Sequence, residues 1–102
     1  MRIELSKPVN YKDTEIYALD LDLENLTGND LITAEENFKK TYPNGQLWGT
    51  AYAAHIAGKS AHVPAQVIMS LAINDFFKIV NAVWDFFGSA NSQASKPEIT
   101  DD

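Results

Sequence analysis

The chain has 102 residues, with 14 acidic and eight basic side chains, and a net charge of −6 at neutral pH. This length is typical of one domain with its own core. The absence of cysteine excludes disulfides and thiolate metal sites, and the negative charge argues against binding to nucleic-acid phosphates.

Two strands are predicted at the N-terminus, because apolar and polar residues alternate there. The first covers residues 2–9, and Pro8, which cannot donate a ladder hydrogen bond, favours an edge position. Turn residues follow over 10–13. The second strand is predicted from Thr14 to about Glu24, and its apolar side consists of Tyr17, Leu19, Leu21 and Leu23. A lone hairpin is marginally stable in water, so we expect helices to cover this face.

The first helix is predicted to begin at Thr27 or Asn29, which are both favourable N-cap residues. Asp30 suits the positive end of the helix dipole. The apolar residues that recur at helical spacing are Leu31, Ala34, Phe38 and Tyr42. Pro43 cannot continue a helix, so we expect the first helix to end at residues 42–45.

Two further helices are predicted between this turn and residue 72. The first runs from about Gln46 to Ala57, with Gly58 where a glycine commonly ends a helix. The second begins around Pro64, since proline is favoured in the first turn. Its apolar patch consists of Val67, Ile68 and Leu71. A break near residues 71–72 is predicted to separate it from the last helix.

The last helix, predicted over residues 73–87, has more apolar residues than one buried stripe requires. Ten of its fifteen positions are apolar, interrupted by Asp75, Lys78 and Asp85. It falls short of the roughly 18 uninterrupted apolar residues of a membrane-spanning helix. A helix apolar over so much of its circumference is either central in the core or shared with a partner. Both alternatives remain open from the sequence.

We assign the apolar residues of this helix to two groups. The core is expected to contain Phe76, Phe77, Val80, Val83 and Phe87. The surface that binds another protein is expected to contain Ile79, Trp84 and Phe86, since aromatic anchors are common at interfaces. Gly88 is predicted to end the helix, so residues 1–88 form one domain. Residues 89–102 are predicted to be a flexible acidic tail, because they cannot bury enough apolar area to order themselves.

The sequence contains no recognisable catalytic arrangement. His55 and His62 lack a nearby carboxylate in a ligand-like pattern, and we interpret them as a half-buried helix residue and a loop residue. Asp20, Asp22 and Glu24 either bind a hard cation or form the solvated side of the predicted strand, and we favour the second interpretation. No phosphate-binding glycine-rich loop is present. We therefore expect a binding protein rather than an enzyme, with no cofactor and no metal.

In the order of its elements the chain resembles the tail assembly chaperones of long-tailed bacteriophages and prophages. The resemblance covers roughly residues 2–88. It rests on an Ile-x-Leu-x-x-Pro hairpin, a helix that opens with Thr-Gly-Asn-Asp-Leu, an alanine-rich helix that ends in Ala-Gly, and a short helix begun by proline. Its most specific part is Asp75-Phe76 followed by Val80, Val83, Phe86 and Phe87.

The resemblance implies a protein made transiently during tail assembly in the cytoplasm of the bacterial host. Such proteins bind the tape measure protein and help recruit tail tube subunits to it, and they often exist in a short and a frameshift-extended form. We thus expect the tape measure protein and the tail tube protein as partners, with no nucleic acid and no membrane. The alternative is a small structural or adaptor protein that forms homo-oligomers through its last helix.

Overall fold

The computed structural model describes residues 1–45 and 49–99, with side chains as far as Gly88, and it has an α+β fold. An antiparallel hairpin of β1 (Arg2–Tyr11) and β2 (Thr14–Asp20) comes first. The short 3₁₀ turn Leu23–Asn25 follows. The helices are α1 (Gly28–Thr41), α2 (Thr50–Ala61), α3 (Ala65–Met69) and α4 (Ile73–Ile99). This arrangement confirms the predicted fold class, a hairpin packed on three to four helices.

The hairpin turns through Lys12 and Asp13, which both have positive φ angles, 53° and 60°. Two such residues form the primed turn whose twist suits a two-residue hairpin loop. Further along, Glu4 pairs with Ala18 and Val9 pairs with Ile16. Four residues of β1, Leu5 to Pro8, therefore lie opposite the single residue Tyr17, and they form a large irregular bulge.

The predicted apolar side of the second strand is partly wrong. Tyr17 is 61% exposed, and it lies opposite the bulge, where β1 offers no regularly paired residue. The strand also ends at Asp20 and not at Glu24. Leu21 and Leu23 are still buried. Beyond the strand, the Asp22 N–H donates to the carbonyl of Ser60 in α2 at 3.2 Å, so the chain has left the hairpin and follows α2.

The N-terminus of α1 is held by a capping box. The Thr27 hydroxyl accepts from the Asp30 N–H at 3.3 Å, and the Asp30 carboxylate accepts from the Thr27 N–H at 2.9 Å. The hydrogen bond from the Thr27 backbone holds the pKa of Asp30 below its ordinary value. Thr27 is thus the N-cap, and α1 ends before Tyr42 as predicted.

The most central helix is α2, which packs against α1, α3, α4 and the end of the hairpin. Its small side chains permit this, since Ala53, Ala54 and Ala57 are all buried. The sequence predicted that Gly58 ends this helix. This prediction is wrong, because Gly58 lies inside α2. A Cβ atom there would lie 2.7 Å from the carbonyl oxygen of Val63, so this glycine allows the chain to pack back on α2. The predicted first residues of this helix, 46–48, lie outside the described residues.

The break between α3 and α4 is confirmed. The Ser70 N–H donates to the carbonyls of Gln66 and Val67, and α4 then begins at Ile73. The predicted end of α4 at Gly88 is wrong, because the helical backbone continues to Ile99. Glycine costs only about 1 kcal/mol inside a helix, so it does not by itself stop one. The proposed flexible tail stays a prediction.

The core lies between the hairpin, α1, α2 and α4. Its largest completely buried apolar side chains come from the residue after β2 and from α2, α3 and α4, and they are Leu21, Ile56, Ile68, Ile79 and Val83. The patch predicted in and after α3 is buried as well. The completely buried apolar side chains belong to one hydrophobic cluster, to which the hairpin and the helices up to Phe87 contribute.

Candidate protein-binding groove

The carboxylate of Asp75 fastens the first turn of α4 to the bulge of β1. It is completely buried. It accepts the Ser6 N–H at 2.9 and 3.0 Å, the Ser6 hydroxyl at 3.1 Å and the Lys7 N–H at 3.3 Å. These backbone donors are available because the bulge interrupts the pairing of β1 with β2. Asp75, which interrupts the apolar pattern of α4, therefore makes a contact inside the domain and does not face water.

The charge of Asp75 is stabilised within the domain. The hydrogen bond from the Ser6 backbone is the main cause that holds its pKa below the ordinary value of 3.8, and the Lys7 N–H, the Ser6 hydroxyl and the Lys78 charge act in the same direction. Burial acts in the opposite direction and is outweighed. The Lys78 ammonium lies 3.8 Å from the carboxylate and donates to the carbonyl of Glu4 at 3.2 Å.

This anchor sets the rotation of α4 and corrects the assignment of its apolar residues. With Asp75 inside, the buried stripe continues through Ile79, Ala82 and Val83 at helical spacing. Ile79, predicted at the partner-binding surface, is completely buried. Phe77, predicted in the core, is 49% exposed.

A groove lies between the start of β1 and α4, with a volume of about 630 Å³. Its residues are Met1, Ile3, Lys78, Asn81, Ala82, Asp85 and Phe86. A smaller depression of about 200 Å³ adjoins the groove, and the two share the lining residues Met1 and Phe86. The other residues of the depression are Leu21, Asp22, Leu23 and Glu24. We call the two together the Phe86 groove. We refer to its apolar lining residues as the floor, and its charged side chains are three carboxylates and Lys78.

The two other predicted partner-binding residues have different positions. Phe86 is half-buried and lines the groove, with its ring centre 5.6 Å from that of Phe87. Trp84 is also half-buried, but it does not line the groove, and its ring centre lies 6.3 Å from that of Phe87. Of the three predicted residues, the structure therefore brings only Phe86 to this surface.

Ile73 and Phe77 are exposed apolar residues that the sequence pattern did not assign to a surface. Ile73 is 62% exposed and lies one helical turn before Phe77. Because residues i and i+4 share a helix face, they form a second apolar patch at the start of α4. The buried position of Asp75 is the signal that locates this patch, and the sequence alone does not give it.

The remaining candidates from the sequence do not form a reactive site. Asp20, Asp22 and Glu24 lie in the strand, the following loop and the 3₁₀ turn, so they do not share one strand face. Within the described residues, no group of three or more histidines and carboxylates is placed to hold a metal ion. Burial lowers the pKa of His55, which packs edge-on against Phe38, and His62 follows α2 in a left-handed conformation.

A polar cleft of about 490 Å³ lies near the C-terminal end of α2, between the hairpin turn and α1. The ionised side chains that line it are Asp22, Asp30 and Lys59. Lys59 lies 4.0 Å from the Asp30 carboxylate, and the Asn25 amide donates to Asp22. The cleft therefore contains one internal ion pair and one carboxylate, Asp22, that it shares with the Phe86 groove.

The fold and the groove define a small α+β domain with a surface depression lined by apolar side chains, three carboxylates and Lys78. No protein-family model, no curated protein and no solved structure matches the chain. None of the helices in residues 1–45 and 49–99 is long and apolar enough to cross a membrane.

Proposed function

We propose that this protein is a tail assembly chaperone of a long-tailed bacteriophage or prophage, acting in the bacterial cytoplasm. It binds a helical segment of the tape measure protein in the Phe86 groove and helps recruit tail tube subunits to it. The role is binding, without catalysis. The groove is the observation that carries the proposal, because it offers an apolar floor beside the helix on which the family resemblance is most specific.

The chemistry of the groove supports a helical client. Ile3, Ala82 and Phe86 provide apolar contact, and an amphipathic helix that lies in such a groove buries its apolar face. Phe86 is an aromatic residue placed centrally, where residues that dominate binding energy are commonly found. The net charge of −6 keeps a complex with an aggregation-prone client in solution.

The proposal is tested by co-expression with a candidate tape measure protein, which is the product of any neighbouring gene that encodes a very long, mainly helical chain. We expect the wild-type protein to co-purify with it and to keep it in the soluble fraction. Phe86→Ser removes the apolar floor and should abolish co-purification, whereas the matched variant Phe77→Ser changes an exposed phenylalanine outside the groove and should retain it. Trp84→Ala tests the remaining predicted residue.

Thermal unfolding of each variant separates binding from folding. If the folded wild-type protein does not bind the candidate tape measure protein, the proposal is wrong. Equal loss of binding in Phe86→Ser and Phe77→Ser would remove the groove as its site.

Self-association is a second candidate function, favoured by the apolar patch of Ile73 and Phe77. Exposed apolar side chains one turn apart can pair with the same patch of a second copy. Light scattering of the isolated protein measures this directly. A dimer that dissociates in Phe77→Ser would support the adaptor role, whereas a monomer at high concentration would exclude it.

A further inference from the structure

We infer that the Phe86 groove selects an amphipathic helix whose apolar stripe is flanked by lysine or arginine. This inference rests on the proposed function, because it names the chemistry of the client segment that the groove accepts. It is drawn from the charges along the groove, the backbone groups of β1 and the shape of the floor.

The cations next to the groove are already paired. The Lys78 ammonium lies between the Asp75 carboxylate and the Glu4 carbonyl, at 3.8 and 3.2 Å. The α-amino group of Met1 lies 3.2 Å from the Asp20 carboxylate and also donates to the Leu21 carbonyl. Each positive charge is thus compensated by a carboxylate of this chain, so the two pairs add no net positive charge beside the groove.

The carboxylates of the groove are less compensated. Asp85 and Glu24 are exposed, and neither forms an ion pair or a side-chain hydrogen bond within the described residues. Among the residues that the structure describes, the Asp22 carboxylate accepts hydrogen bonds only from the neutral amide of Asn25. Asp85 lies on the α4 side of the groove, and Asp22 and Glu24 lie on the opposite side of Phe86. The local field along both sides is therefore negative and favours a cationic partner.

The backbone of β1 argues for a helix rather than an added strand. A strand that docks beside β1 requires its free N–H and C=O groups. Here the Glu4 carbonyl accepts from Lys78, and the N–H groups of Ser6 and Lys7 donate to Asp75. Since α4 already occupies these groups, recognition in the groove depends on side-chain packing, which an amphipathic helix provides.

Two synthetic helical peptides test the inference on the full chain. Both have the same leucine stripe and length, and lysines flank the stripe in one whereas glutamates flank it in the other. Backbone amide signals of the ¹⁵N-labelled protein report the binding site and the affinity. We expect the lysine peptide to shift the signals of Ile3, Ala82, Asp85 and Phe86 and to bind more tightly than the glutamate peptide.

Charge reversal locates the effect. Asp85→Lys is expected to reduce the affinity for the lysine peptide by roughly two- to fivefold, which is the range that one exposed ion pair contributes. Glu24→Lys should act in the same direction from the other side of the groove. The matched control is Glu36→Lys, which makes the same change in net charge on α1, away from the groove, and should have a smaller effect.

Several results would overturn the inference. Equal binding of both peptides would show that charge does not select the partner. Signal shifts outside the groove, or equal effects of Asp85→Lys and Glu36→Lys, would show that the groove is not the site. Concentration-dependent shifts of the groove residues without peptide would show that a second copy occupies it. Because no tape measure protein is used, these results are distinct from a failure of the proposed function.

Discussion

The Asp75 carboxylate accepts the backbone N–H of Ser6 at 2.9 Å, which joins the first turn of the last helix to the bulge of the first strand. This contact links residues far apart in the chain and fixes the rotation of α4. It thereby decides which apolar residues enter the core and which line the Phe86 groove.

Replacement of Asp75 by asparagine is expected to destabilise the fold more than the replacement Ser6→Ala. Asparagine keeps the shape but removes the charge, and in either orientation its NH₂ group takes the place of an oxygen that accepts the Ser6 N–H. Ser6→Ala removes only the hydroxyl. Urea unfolding at neutral pH measures both. An Asp75→Asn protein as stable as the wild type would contradict the anchoring role.

The contribution of Asp75 to stability is expected to fall in acid. Its pKa in the folded protein is below 3.8, so above that value the carboxylate is ionised in both states and its contribution is complete. As the pH falls below 3.8, the unfolded chain takes up the proton first, and the contribution is lost as the pH passes through the folded pKa. The difference in unfolding free energy between wild type and Asp75→Asn should thus be constant from pH 7 to about 5 and shrink below about 4. A difference that grows in acid would contradict the sign of the shift.

Two substitutions in α4 are expected to differ sharply. Ile79→Ala empties a completely buried position and should reduce the unfolding free energy by about 2–5 kcal/mol. Phe77→Ala removes a larger side chain that is half exposed, and should cost about 1 kcal/mol or less. Denaturant unfolding of the two variants measures the difference. The reverse order would restore the assignment made from the sequence pattern.

Two glycine substitutions are expected to have opposite effects. Gly58→Ala places a Cβ atom 2.7 Å from the Val63 carbonyl oxygen and should destabilise the protein by about 1–3 kcal/mol. Gly88→Ala meets nothing within 4 Å and should stabilise it by up to about 1 kcal/mol, because alanine is the better helix former. Thermal unfolding measures both. Destabilisation by Gly88→Ala would contradict a helix that continues through this residue.

Much of the local structure follows from the sequence. Thr27 with Asp30 predicts the start of α1, Pro43 its end, and the turn at residues 10–13 the hairpin, because each depends on neighbouring residues alone. The buried patch at Val67, Ile68 and Leu71 and the break before α4 are also local. The predicted ends of β2 and α4 were wrong. The first depends on the contact of Asp22 with Ser60, and at Gly88 helix propensity gives only a weak signal.

The candidate groove was predictable only in part. Phe86 was expected at a binding surface and lines the groove, but Ile79 was placed there wrongly and Phe77 was assigned to the core. A pattern of apolar residues treats every charged position as facing water. It therefore could not show that Asp75 points inward, and it rotated the buried face of α4 away from its true direction.

The sequence by itself determined the hairpin, the helices that follow it and the apolar excess of α4, since these arise from interactions between near neighbours. The tertiary structure alone decided how α4 is rotated. A buried carboxylate needs hydrogen-bond donors, and the bulge that supplies them lies at the other end of the chain. Only when the two meet does the surplus apolar surface of α4 divide between the core, the Phe86 groove and the exposed patch of Ile73 and Phe77.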